Sequence, residues 1–109
     1  MKLTYLYCPT KDVAAAAAFH RDELGLSDAW RDGSETVAFW LPDRSAQIMV
    51  STTDQPAGPM YLVDDVGAWL GAHPGVPVAV ERYDIPGGSV VGLAGPVDYV
   101  FYVFDQPDA

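Results

Sequence analysis

Apolar residues fall along the chain in a pattern of strand, helix and three strands, given twice. Residues 3–7 (LTYLY) form an aromatic and apolar run that predicts a strand, ended by Pro9 and Thr10. Residues 11–24 (KDVAAAAAFHRDEL) predict a helix, because alanine loses least on entering one. Thr10 or Asp12 is suited to cap its start, and Gly25 follows Leu24 where a helix usually ends. Val13, Ala17, His20 and Leu24 share helical spacing and predict one apolar face. A short strand is expected over residues 28–31, with Asp32-Gly33 as a hairpin signal. Residues 36–41 (TVAFWL) and 46–51 (AQIMVS) predict two more strands around the Pro42-Asp43 turn.

Residues 52–59 (TTDQPAGP) have the composition of a linker, and then the order repeats. A short strand over 60–63 leads into a helix opened by Asp64-Asp65-Val66 and ended near His73-Pro74-Gly75. Strands are expected over 76–83, 89–93 and 99–104, separated by Pro86-Gly87-Gly88 and Gly95-Pro96. Residues 105–109 read as a frayed polar tail. Asp12-Val13 lines up with Asp65-Val66, which marks an internal duplication of two βαβββ modules, 1–53 and 59–109, within one domain. Each module has too few strands to enclose a core without its helix or its twin. The expected class is α+β: a curved mixed sheet with one face on the helices and the other lining a pocket.

The opening also resembles the vicinal oxygen chelate superfamily of glyoxalase I, bleomycin-resistance proteins and extradiol dioxygenases. Asp12-Val13, Phe19-His20-Arg21-Asp22 and Leu24-Gly25-Leu26 carry that resemblance. It implies two βαβββ modules, an open pocket and, frequently, a homodimer. For the enzymes of the superfamily it implies a divalent metal held by His, Glu or Gln from the first and last strands of each module. Carried over by position, those places fall on Tyr5, on Gly58 or Pro59, near Ser51 and near Phe104. None is His or Glu, and of the neighbours only Gln47 and Asp105 carry metal-competent groups. The expectation is therefore a protein with no catalytic metal, no cofactor and no catalytic residue.

Composition narrows the partner. In 109 residues, 6 Lys and Arg stand against 15 Asp and Glu, a formal charge of −9. Such a chain lacks the basic stripe that nucleic acid or an anionic membrane requires. The one cysteine, Cys8, excludes an internal disulfide and fits a reducing, cytoplasmic setting. Cys8 is expected to face the helix, inert, if Tyr5 and Tyr7 face the pocket. His20 is read as a packing histidine with one nitrogen satisfied, and His73 as a cap on the second helix. Glu81 is either an outward residue or a pocket acid.

What remains for function is aromatic. Tyr5, Tyr7, Trp40, Gln47, Met49, Ser51, Tyr83, Tyr99 and Phe101 are the expected ligand-binding residues. Tyr hydroxyls on such a face need partners, which a ligand or water supplies. The leading expectation is a non-enzymatic module that sequesters a cationic or aromatic small molecule such as an antibiotic. The alternative is a lyase, isomerase or dioxygenase with a shifted or absent metal site. It would draw on Gln47, Glu81 and Asp105, with Tyr5 as acid or base. A third reading, a partner-binding module, rests on the uncharged strand 99–104, which must be central or covered to avoid aggregation.

Overall fold

The computed structural model describes residues 1–108. Eight strands and two helices follow in the order β1 (Lys2–Pro9), α1 (Val13–Ala18), β2 (Ser27–Asp32), β3 (Thr36–Trp40), β4 (Gln47–Ser51), β5 (Gly58–Leu62), α2 (Val66–Ala72), β6 (Val78–Ile85), β7 (Gly88–Ala94) and β8 (Val100–Asp105). This is the expected α+β class with the βαβββ order given twice. The chain divides into two compact units, one of Thr4–Ala57 and one of Gly58–Ala109 with Met1–Leu3. Among the described residues, no helix is long and apolar enough to cross a membrane.

In the first unit the strands lie in the order β2-β3-β4-β1. β1 runs parallel to β4, and β3 is antiparallel to both β4 and β2. Asp12 caps α1, its carboxylate accepting from Ala15 N at 2.9 Å. Val13 and Ala17 of α1 pack on Leu26, Val37, Phe39 and Val50, with Cys8 and Ile48 at the margin. Cys8 therefore lies on the helix side, as expected.

Leu24 does not join that face. The helix widens into a π-helical turn over Phe19–Glu23, closed by Leu24 N donating to Phe19 O. The extra residue per turn shifts the phase of everything after it. Leu24 is left exposed, and Leu26 takes the buried place two residues later. His20 keeps its expected packing role, with Nδ1 2.7 Å from Ala16 O and the ring stacked on Phe39. Arg21 forms an exposed, two-point ion pair with Asp28, and its hydrogen bonds hold that carboxyl below the usual range.

In the second unit the order is β5-β8-β7-β6, with β8 parallel to β5 and antiparallel to β7. The aromatic strand β8 is thus central, paired on both edges, which answers its aggregation hazard. Val66 of α2 packs on Val91, Leu93 and Val103, with Trp69, Leu70 and Phe101 around them. Asp65 caps α2, accepting from Ala68 N at 2.8 Å. His73 closes it, with Nδ1 2.7 Å from Trp69 O and its ring stacked on the indole.

Asp105 departs from the expected frayed tail. It ends β8 as a buried carboxylate, with Oδ2 accepting from Val66 N at 2.7 Å and Oδ1 from Ser89 N at 3.0 Å. The first N–H of a helix has no partner within the helix. Asp105 supplies one from the neighbouring strand and so fixes where α2 begins on the sheet.

Candidate functional site

Alternation along a strand sends successive side chains to opposite faces. In the first unit Val37, Phe39, Ile48, Val50 and Cys8 face α1. The opposite face then carries Thr36, Ala38 and Trp40 from β3, Gln47, Met49 and Ser51 from β4, and Tyr5 and Tyr7 from β1. The registers set these in rows: Tyr5 beside Gln47 beside Trp40, and Tyr7 beside Met49 beside Ala38. Six of the nine expected ligand-binding residues are therefore brought onto one face: Tyr5, Tyr7, Trp40, Gln47, Met49 and Ser51.

Trp30, which is not among the expected binding residues, joins them. Simple pairing from Ser27 with Trp40 and Asp28 with Phe39 would place Trp30 opposite Val37, on the helix side. A bulge between Asp28 and Trp30 adds one residue and places Trp30 opposite Ala38 instead. Bulges re-aim side chains in this way. Trp30 then donates from Nε1 to Gln47 Oε1 at 2.9 Å and meets the Tyr5 ring edge-on, with centroids 6.1 Å apart. An indole N–H is a donor only, so Gln47 must present its oxygen to it. The only sequence signal for this placement is Trp30 itself on an otherwise polar edge strand.

The two ends of this face differ. At one end Tyr7 is buried, its hydroxyl donating to Thr53 O and touching Thr53 Oγ1. Ser51 is buried beside it and bonds Thr36 Oγ1 at 2.9 Å. This end is closed by its own hydrogen bonds. At the other end Tyr5, Trp40 and Met49 are half-buried, and Trp30 is 36% exposed. The more open part of the face is therefore Tyr5, Trp30, Trp40 and Met49, set around the buried Gln47.

The second unit is filled differently. On its helix-free face Met60, Val90, Tyr102 and Phe104 are all buried. Gly92 makes room there: a Cβ would lie 2.6 Å from Val80 and 3.0 Å from the Tyr102 ring. Three expected binding residues fall in this unit, and the structure places two of them off its helix-free face. Phe101 packs under α2 beside Tyr61 rather than on the pocket side. Asp105 faces the start of α2, so Val103 and Phe101, two and four residues earlier, face it too. Tyr99 precedes β8 altogether and is largely exposed. Tyr83 does lie on the helix-free face, opposite Val90, but on the edge strand of its unit. Glu81 is exposed on that same strand.

The donors do not fit the metal that the resemblance implies. In the first unit Gln47 Oε1 is taken by Trp30, and Ser51 Oγ by Thr36. In the second unit the places fall on Gly58, Pro59 and Phe104, and both Asp105 oxygens are engaged by backbone N–H groups. Among the described residues, no three His, Cys, Asp or Glu side chains cluster as a metal site. A divalent transition ion needs three or four N, S or O ligands held together.

Cys8 offers no nucleophile either. Packing beside the α1 core pushes its thiol pKa up, which suppresses the thiolate at neutral pH. Alkylation of Cys8 by iodoacetamide at pH 7 is expected to be several-fold slower than that of free cysteine. The rate should keep rising at pH values where free cysteine has levelled off. Mass spectrometry of timed samples measures both.

No protein-family model matches the chain, and no curated protein sequence matches it. Solved structures do match. A protein described as an NAD-dependent benzaldehyde dehydrogenase from Legionella pneumophila superposes with a TM-score of 0.74 at 8% identity, covering 94% of this chain and 97% of its own. A hypothetical protein from Bacillus halodurans gives 0.71 at 11% identity over 96% of this chain and 94% of its own. A glyoxalase/bleomycin resistance protein/dioxygenase superfamily member from Vibrio splendidus gives 0.61 at 19% identity over 94% of each. At these identities the likeness is one of fold.

Proposed function

We propose that this chain, which has the fold of the vicinal oxygen chelate superfamily, is a small-molecule-binding protein that holds a flat aromatic or cationic compound without a catalytic metal. One observation carries the reading. The helix-free face of the first unit presents Tyr5, Trp30, Trp40 and Met49 partly open around the buried Gln47 amide, whose oxygen the Trp30 indole N–H holds in place. Apolar walls with a few fixed polar groups are the usual make-up of a small-molecule site. Aromatic faces attract cations through their quadrupole, and a net charge of −9 raises the local concentration of a cationic ligand. An antibiotic with a planar cationic group is one compound of this kind.

Of the donors that a shifted metal site would use, Gln47 Oε1 and both Asp105 oxygens already hold protein partners and Glu81 is exposed on an edge strand, which favours binding over metal-dependent turnover. Titration of chelator-treated protein with planar aromatic cations, followed by tryptophan fluorescence, tests the reading. Trp69 lies on α2 of the other unit, stacked on His73, so Trp69→Phe removes its background. Saturable quenching that persists in Trp69→Phe is expected. Quenching that appears only after zinc, nickel or manganese is added would contradict it.

A further inference from the structure

The turn between β3 and β4 holds an arginine in a conformation that arginine disfavours. Arg44 has φ of 61°, in the left-handed region. Its N–H donates to Leu41 O at 2.9 Å, and Leu41 N donates to Ala46 O at 3.0 Å. A tight turn followed by one left-handed residue is a common hairpin loop, and glycine usually takes that last place. A side chain there is strained, and strain kept at one residue is a pointer to function.

The Arg44 side chain leads to a cavity. A hollow of about 120 Å³ lies at this end of the first unit, lined by Gly25, Leu26 and Ser27 on one side and Trp40, Pro42 and Arg44 on the other. The guanidinium rests 5.3 Å from the centre of the Trp40 ring. Among the described residues it has no carboxylate partner. The adjacent acid, Asp43, accepts from Ser45 N and Oγ, and Asp28, next to the cavity residue Ser27, is paired with Arg21.

We propose that this cavity binds the carboxylate of a small aromatic acid. Arg44 would supply the donors, and Trp40 the wall against which the ring lies. A guanidinium resting on an indole keeps N–H groups for a planar, two-oxygen acceptor. The hollow is close in size to the roughly 150 Å³ cavity that accommodates a benzene ring. A single arginine in an acidic protein suits a monoanion better than a phosphate dianion. Trp40 is common to this inference and the aromatic-cation reading, but the group that grips the ligand is Arg44 and the ligand has the opposite charge, so Arg44→Gly and Trp30→Ala test the two separately.

Benzoate is the probe, with benzamide as its neutral isostere and inorganic phosphate as the dianion. In titrations followed by Trp40 fluorescence in the Trp30→Phe, Trp69→Phe background, benzoate is expected to saturate. Benzamide should bind at least tenfold more weakly, and phosphate should not displace benzoate. Arg44→Gly supplies the control, because glycine accepts the positive φ. It should abolish benzoate binding while melting no lower than the parent. Equal binding of benzamide and benzoate, displacement by phosphate, or unchanged benzoate binding in Arg44→Gly would overturn the proposal, as would no saturable change with benzoate. A markedly lower melting temperature in Arg44→Gly would show that Arg44 serves the fold instead.

Discussion

Replacing Asp105 with alanine is expected to destabilise the protein by about 3 kcal/mol, because two buried N–H groups lose their acceptor together. Val66 N stands at the start of α2, and Ser89 N stands in β7, where the same carboxylate accepts both. Leaving a buried donor unsatisfied costs about 1–3 kcal/mol each, before any shift of the helix that Asp105 anchors. Asp105→Asn keeps one acceptor oxygen and should lose less, about half as much by the same reasoning. Urea unfolding of the two variants against the parent measures both effects, through the midpoint at unchanged slope. Equal stability of Asp105→Ala and parent would mean that neither donor depends on this carboxylate.

Trp30→Ala is expected to weaken binding of an aromatic cation by tenfold or more, about 1.4 kcal/mol. The change removes an exposed ring, the edge-on contact with Tyr5 and the hydrogen bond that orients Gln47. Trp30 sits on the edge strand of its unit, so its loss should cost the fold little. Trp30→Phe keeps a ring but not the indole N–H, so the Gln47 amide loses its fixed orientation. Intermediate affinity in Trp30→Phe would separate the stacking contribution from the hydrogen bond. Isothermal titration of the three proteins with one planar cationic compound reads the series. Unchanged affinity in Trp30→Ala would remove this face from the account.

These two residues also mark where the sequence stops being legible. The duplicated order of elements was readable because the same local chemistry recurs: Asp12-Val13 and Asp65-Val66 open both helices, and each Asp caps its helix. Tyr5, Tyr7, Gln47, Met49 and Ser51 could be assigned to one face because β1 and β4 keep a strict period of two. Trp30 could not, since one bulged residue reverses the parity of its strand and no residue in 27–32 announces it. Phe101 failed for a related reason. The parity of β8 is set by a buried contact between Asp105 and a helix 39 positions earlier, which no local pattern encodes. Leu24 was misplaced by the π-helical turn, which changes the period within a run that reads as uniformly helical.

The central claim is that a small molecule lies on the helix-free face of the first unit and needs no metal to do so. Amide and side-chain chemical shifts of chelator-treated protein, followed during titration with a planar aromatic cation, test it most directly. Saturable shifts concentrated at Tyr5, Trp30, Trp40, Gln47 and Met49 are the result this account predicts. Shifts gathered on the α1 or α2 side, or a spectrum that moves only once a divalent metal is supplied, would contradict it.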